Sequence, residues 1–317
     1  MARGKQFDVL GLGCAAVDDI LYVEQYPPAD AKIHVLRSER HCGGLTATAL
    51  VAAARLGATC AFAGTLGFDE GSEFVLQTFR REGVNVKHVV RRQNAAPVLS
   101  VIIVDEKRGT RNIFALIEHS RGADAKLPAR EVIEASRVLF IDYFGAAGNI
   151  RAAKIARAAG IPVVSDLERT QLPRMKELIP LVDHPIFSRR AAQELTGESR
   201  AGRAAAKLWR KDRAAAIVTC GEKGVWFVSR EQAAPKHIPA FKVNAIDTTG
   251  CGDVFHGAYA AALARDLPVE ERIRFAAATA ALKATQHGGQ AGIPSFAAVK
   301  KFCARRADDR IRMRAFP

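Results

Sequence analysis

Short apolar runs alternate with Ala-rich helical stretches along most of this chain, and that alternation restricts its fold more than any other feature. Phe7–Gly13 (FDVLGLG) reads as a buried strand ending in glycine. Thr46–Leu56 reads as a helix stopped by Gly57, and Cys60–Gly64 as the next strand. Ser72–Glu82 follows as a helix, with Ser72 as its cap and Gly83 as its stop. Val138–Ile141, Pro162–Asp166, Ile186–Phe187 and Ala215–Thr219 are further short strands. Helical segments near Ile150–Ala159, Ala201–Lys211 and Gly252–Ala264 lie among them. Such a pattern predicts an α/β fold, a mostly parallel sheet covered by helices on both faces. Two regions break the pattern. Ile20–Val23 with Ile33–Arg37, and Pro97–Asp105 with Arg111–Leu116, read as strands with no helix between them.

The densest chemistry lies in Asp247-Thr248-Thr249-Gly250-Cys251-Gly252-Asp253, which runs directly into the helical stretch. Glycines without side chains let main-chain N–H groups point at an anion, and a helix start adds unpaired donors and partial positive charge. Asp253 stands in the first helical turn, beside the place a phosphate would take. A phosphate cradle with a carboxylate base next to it is suited to phosphoryl transfer. An ordinary loop-to-helix cap is the plainer reading of the same residues.

Bulk properties narrow the field. At 317 residues, 49% of them hydrophobic, the chain can bury a large core in one domain. No apolar run approaches the roughly 18–20 residues of a membrane span, and the start lacks the pattern of a signal peptide. Cys14, Cys42, Cys60, Cys220, Cys251 and Cys303 show no CxxC spacing, which predicts reduced cysteines, a cytoplasmic location and no zinc site. The net charge of +14 raises the question of nucleic acid, but the basic residues are dispersed. The densest cluster, from Arg305 to Arg314, includes Asp308 and Asp309 and reads as a solvated tail. Neither a nucleic acid nor a membrane is expected as partner.

DTTGCGD resembles the DTxGAGD signature of the ribokinase-like, or phosphofructokinase B, carbohydrate kinases, with Cys251 in place of the usual Ala. The resemblance runs over nearly the whole chain. It implies a three-layer α/β sandwich of one domain over 1–317. The two irregular regions, roughly 19–40 and 96–118, would form a small β-lid over the sugar, and such lids pair in homodimers. It implies an ATP-dependent sugar kinase using Mg²⁺ and a monovalent cation such as K⁺. Asp253 would be the base, with Gly250, Cys251 and Gly252 forming the anion hole. The segment from Gly11 to Asp18 looks like the family's first strand with its sugar-binding acid, Asp18. Gly43-Gly44 matches the start of the GGxxxN element, with Thr48 at the Asn position. Asp69, in a GxxGxDxxG segment, is expected to stabilise a loop. Val218–Gly224 resembles the TxGxxG nucleotide loop, which gives Thr219, Gly221 and Gly224 to ATP. The family's NxxE is absent: Ser188 and Ala191 stand at its ends, and Glu194 reads as a helix-surface carboxylate. No GxxxxGK[ST] is present, and GCGDVFHG does not follow a first βα turn, which disfavours a Walker ATPase and a dehydrogenase.

Several stretches, among them Val51–Ala58, Asp247–Ala258 and Gly288–Pro294, look particularly like bacterial sulfofructose kinases. Those enzymes hold a sulfonate with a Lys, an Asn and an Arg. Here Lys32 matches the Lys, but Ala115 and Phe144 fall at the other two positions, so the sulfonate contacts are not retained. A nucleoside kinase of the same family and a non-catalytic nucleotide- or sugar-binding regulator are the alternatives.

Overall fold

The computed structural model describes residues 4–305. The basic tail from 306 onward, which holds most of the Arg305–Arg314 cluster, lies outside the described residues. Eight strands form the central sheet, in the spatial order Lys236–Ile238, Val225–Ser229, Ala215–Thr219, His184–Ser188, Val163–Asp166, Ser136–Asp142, Phe7–Leu12 and Cys60–Phe62. From Ala215–Thr219 onward all neighbours run parallel, and the two strands at the other edge are antiparallel. Side chains alternate between the faces, as strand geometry requires. Val9, Val138 and Phe140 enter one core with Leu50, Tyr259, Phe275 and Val299. Leu10, Leu12, Leu139 and Ile141 enter the other with Ile150, Ala192 and Ala205. The first core is covered by helices Leu45–Arg55, Cys251–Ala264, Val269–Ala284 and Phe296–Ala304. Helices Ala146–Ala158, Arg189–Thr196 and Ala201–Leu208 cover the second. This is the three-layer sandwich the sequence implies.

A second, four-stranded sheet has the order Arg37–Gly43, Ala16–Val23, Val98–Asp105 and Thr110–Leu116. It corrects the expectation for its first hairpin. The partner of Ala16–Val23 is Arg37–Gly43, not Ile33–Arg37, and residues 24–36 are irregular. Pro27 and Pro28 lack the N–H a ladder needs, and Asp30 has φ of 60°. Cys60–Gly64 is not one strand either. Cys60–Phe62 closes the main sheet, while Gly64–Leu66 joins a small three-stranded sheet. Between them the chain folds so tightly that a Cβ on Gly64 would fall 2.3 Å from Phe62 and 2.5 Å from the Gly13 carbonyl. The next helix spans Glu70–Arg81 and is capped by Asp69 rather than Ser72. Asp69 accepts from the Ser72 N–H at 2.9 Å and from its hydroxyl at 2.8 Å. The loop-stabilising role expected of Asp69 therefore holds, and it displaces Ser72 because Asp is an equally good cap and comes first.

Candidate active site

Asp142, Asp166, Ser188 and Thr219 end four neighbouring strands, so the carboxyl edge of the sheet presents two carboxylates and then two hydroxyls. Ligand contacts in open parallel sheets gather along this edge. Asp142 is a buried knot. It accepts from Cys14 N at 2.8 Å, the Thr46 hydroxyl at 2.8 Å and Phe144 N at 2.7 Å. Burial pushes its carboxyl up to about 6 despite these donors. It thereby ties the end of the first strand to the start of helix Leu45–Arg55.

The loop from Asp247 to Asp253 is docked on the end of helix Val269–Ala284. Ile246 N and Asp247 N both donate to Ala284 O, at 2.7 and 3.1 Å. Asp247 then holds the turn, accepting from Thr249 N at 2.8 Å and from Gly288 N at 2.9 Å. Gly250 takes φ of 72°, a left-handed conformation that glycine adopts without cost, and helix Cys251–Ala264 begins. The Cys251 N–H turns inward to Thr248 O at 3.2 Å. The amides of Gly250, Gly252 and Asp253 donate to no described residue. The donors on offer are therefore those of Gly250, Gly252 and Asp253, a revision of the sequence-based expectation for Cys251 that follows from closure of the turn. A Cβ on Gly252 would meet nothing within 4 Å, so the space beside this glycine is open.

Asp253 is half-buried and its carboxylate accepts no hydrogen bond from a described residue. Burial and the neighbouring Asp166 carboxylate push it well above the usual carboxylate range; His256 pulls the other way, and Glu168 and Asp18 add to the rise. Asp166 is itself buried and raised, first by burial and then by Glu168 and Asp142. Beneath both lies buried His256. Its Nδ1 is 2.7 Å from Gly252 O and 3.3 Å from Asp166 Oδ2, and its Nε2 is 3.2 Å from Ile186 O. Every one of these neighbours is an acceptor.

Asp18 approaches from the second sheet. It lies inside strand Ala16–Val23, not in a turn, and sits directly opposite His41 on one side and Ser100 on the other. Ala115 faces Ser100 on the next strand, so His41, Asp18, Ser100 and Ala115 form one cross-strand row. Burial raises the Asp18 carboxyl, against a hydrogen bond from Ser100 and the charge of His41. A Cβ on Gly43 would lie 2.1 Å from Asp18 Oδ2, and one on Gly44 would lie 2.7 Å from Ala15 Cα. Asp18, Gly43, Gly44 and Asp253 are thus brought together from three separate segments.

Other expected site residues sit differently. Thr48 is buried, 2% exposed, and its hydroxyl accepts from the Gln290 amide at 3.3 Å. Lys32 lies in the irregular, exposed segment and makes no hydrogen bond or ion pair with a described residue. Phe144 stacks on Tyr143, centroids 4.6 Å apart, just beyond Asp142. Thr219, Gly221 and Gly224 form the end and turn of an antiparallel hairpin, with φ of 57° and 83° at the two glycines. Ser188 caps helix Arg189–Thr196 by accepting from Ala191 N at 3.2 Å. Glu194 is exposed and pairs with Arg190, as a helix-surface carboxylate should. Sequence reasoning missed Asp142, Asp166 and His256. For the two acids the signal was present, because each closes a short apolar strand. For His256, within an otherwise apolar helix, there was none.

A profile described as the pfkB family of carbohydrate kinases matches residues 7–295. The ribokinase of Haemophilus influenzae is 29% identical over 293 residues, covering 90% of this chain and 94% of its own. The crystal structure of Thermotoga maritima ribokinase superposes with a TM-score of 0.80 at 25% identity, covering 93% of this chain and 99% of that one. Arabidopsis thaliana ribokinase, solved with ribose and ATP, gives a TM-score of 0.82 at 24% identity over 95% of this chain and 99% of that one.

Proposed function

The chain belongs to the pfkB family of carbohydrate kinases and is an ATP-dependent sugar kinase, and we propose that Asp253 is its general base, acting beside an anion hole of main-chain amides. The observation that carries this reading is the Asp253 carboxylate, which accepts no hydrogen bond among the described residues, at the same helix start as the Gly250 and Gly252 amides, which donate to none of them. Asp253 takes the proton from a primary hydroxyl as that oxygen attacks the γ-phosphorus in line. The bond from phosphorus to the β,γ-bridging oxygen breaks, and ADP leaves. The Gly250, Gly252 and Asp253 amides receive the charge that builds on the transferring phosphoryl oxygens. A raised carboxyl suits this task, since its conjugate base accepts a proton more readily than an ordinary carboxylate.

Asp18 accepts from sugar hydroxyls, and Gly43 and Gly44 let the sugar lie against main chain. Thr48 contributes through Gln290, whose amide stands over it. Thr219, Gly221 and Gly224 pass the ATP phosphates close to main chain. Mg²⁺ brought in with ATP would supply positive charge that offsets the charge of the transferring phosphate. No group of three or more metal-ligating side chains occurs among the described residues, which fits a cation held chiefly by phosphate oxygens and water. Asp166 and Glu168, whose charges bear on Asp253, are the side chains that would hold it.

The substrate is a ketose-like sugar without a sulfonate. Ala115 stands in the row that carries Asp18, and Phe144 offers an aromatic face where a guanidinium is needed. Sulfofructose is accordingly a poor substrate, and Ala115→Asn with Phe144→Arg raises kcat/KM for it more than for fructose. A wild-type preference for sulfofructose would overturn this assignment. Leu99, Phe114 and Leu116, 39%, 52% and 56% exposed, lie on the sheet face opposite the Asp18 row. That apolar face fits a second copy, giving a homodimer, which Phe114→Lys would split in light scattering. The free thiols of Cys14, Cys42, Cys60, Cys220 and Cys251 support a cytoplasmic location. No helix among the described residues is long and apolar enough to cross a membrane. The functional test is ADP release across hexoses, pentoses, polyols, sugar phosphates and nucleosides. A free sugar driving release supports this reading; adenosine alone driving it makes the chain a nucleoside kinase, and no release with any acceptor favours a binding regulator.

A further inference from the structure

Lys283 is fully buried, 0% exposed, at the penultimate position of helix Val269–Ala284. Burying an ammonium is costly unless something negative meets it. Its Nζ donates to the main-chain O of Asp247 at 2.9 Å, while Asp247 Oδ2 stands 3.9 Å away. The ammonium thus engages main chain first and carboxylate second. Three sources of negative charge converge there: the Asp247 carbonyl, the Asp247 carboxylate and the carbonyl end of the helix dipole.

The surrounding contacts give this placement its meaning. Ala284 O, next to Lys283, accepts the amides of Ile246 and Asp247 at the start of the anion-hole loop. One turn back on the same helix, Ala280 O accepts from Cys251 Sγ at 3.6 Å at the end of that loop. Gly288 N ties the following loop to the same Asp247 carboxylate. Helix Val269–Ala284 therefore grips the loop at both ends, and Lys283 places a positive charge between the grips. The amides of Gly250 and Gly252 belong to the segment so held. The Asp253 carboxylate is among the charges that act on this ammonium, with Arg111 opposing, so it lies within electrostatic reach of the reacting centre.

We propose that Lys283 is a positioning residue for phosphoryl transfer, its ammonium serving as a built-in cation that holds the anion-hole loop in its active form without an added monovalent cation. The proposal rests on reading the Gly250–Gly252 loop as the anion hole. The family resemblance implies a monovalent cation such as K⁺, but the main-chain O of Asp247 is already met by the chain's own ammonium and its carboxylate oxygens by the Thr249 and Gly288 amides, so the residues at this loop do not fit a free ion.

The test exchanges salts on the wild-type enzyme and on Lys283→Ala. Wild-type kcat and melting temperature should be the same in potassium and in tetramethylammonium chloride at equal ionic strength. In tetramethylammonium, Lys283→Ala should lose about 10²-fold in kcat, comparable to the loss of an anion-hole donor, with a much smaller change in the KM for ATP. Added potassium or ammonium should restore part of that rate and raise the melting temperature of the variant alone. A wild-type enzyme that loses tenfold or more of its rate in tetramethylammonium overturns the proposal. A folded variant with unchanged kcat, or with no response to potassium and ammonium, overturns it too. If Lys283→Ala does not fold, the wild-type salt exchange decides alone. Failure of the base assignment is distinguishable, because it shows as activity in Asp253→Asn, whereas failure here shows in the salt response.

Discussion

Gly257→Ala is the smallest change that should disturb both stability and catalysis. Gly257 lies one turn beyond Asp253 on helix Cys251–Ala264, and its neighbour across the interface is Ala49 on helix Leu45–Arg55. The second helix begins immediately after Gly43 and Gly44. This contact therefore sets the spacing between the base and the glycines beside Asp18. A Cβ on Gly257 would fall 2.0 Å from Ala49 O, 2.7 Å from Ala49 C and 2.8 Å from Ala49 Cα. All three are main-chain or Cα atoms, so no side chain can rotate aside. Restoring an ordinary 3.4 Å contact requires the helices to part by about 1.4 Å, the difference between 3.4 and 2.0 Å. Overpacking typically costs about 1–3 kcal/mol, and a main-chain clash this short belongs at the upper end. The better helix propensity of Ala offsets about 1 kcal/mol, leaving about 2 kcal/mol of destabilisation. In a chain of 317 residues that lowers the melting temperature by about 3 °C. A displacement near 1 Å at a reacting centre can cost about 10²-fold, so kcat/KM for the sugar should fall by that order. Calorimetry and steady-state kinetics measure the two effects. A variant that melts within a degree of the wild type and keeps its kcat/KM would refute the argument that this contact sets the geometry.

Gly43→Ala should raise the sugar KM by tenfold or more with little change in melting temperature, because its Cβ would lie 2.1 Å from Asp18 Oδ2 and drive the carboxylate off the sugar. Asp166→Asn should move the acid limb of the kcat/KM pH profile downward. Asp253 works ionised, burial and Asp166 raise its pKa, and so the wild-type rate is lost, as pH falls, at a higher pH than for an ordinary carboxylate. Removing the Asp166 charge restores ionisation at lower pH, and an unmoved or upward-shifted limb would contradict that coupling.

The order of strands and helices in the main domain was legible because each element carries its own period and its own stop. The second sheet was only partly so. Strand Thr110–Leu116 announces itself by the apolar run Ile113-Phe114-Ala115-Leu116 at its end, whereas Arg37–Gly43 (RSERHCG) is largely polar and exposed along its first half, and its pairing is fixed by Ala16–Val23 rather than by its own sequence. Asp253 and the glycines could be placed because the loop chemistry is local. Asp142 and His256 could not be ranked, since their roles depend on what faces them across the fold: Cys14 and Thr46 for one, Asp166 and Ile186 for the other. The same holds for Thr48, whose partner Gln290 lies 242 residues away, and for the inward turn of the Cys251 amide, which a motif of small residues does not specify.

The central claim is that Asp253 removes the proton from the acceptor hydroxyl. Single-turnover phosphoryl transfer by Asp253→Asn, measured with the best sugar from the ADP-release screen alongside calorimetric ATP binding, tests it most directly. The account predicts unchanged ATP affinity, a retained melting transition and a transfer rate lower by about 10²-fold or more. Transfer at a rate close to the wild type, with the sugar and ATP both bound, would contradict it.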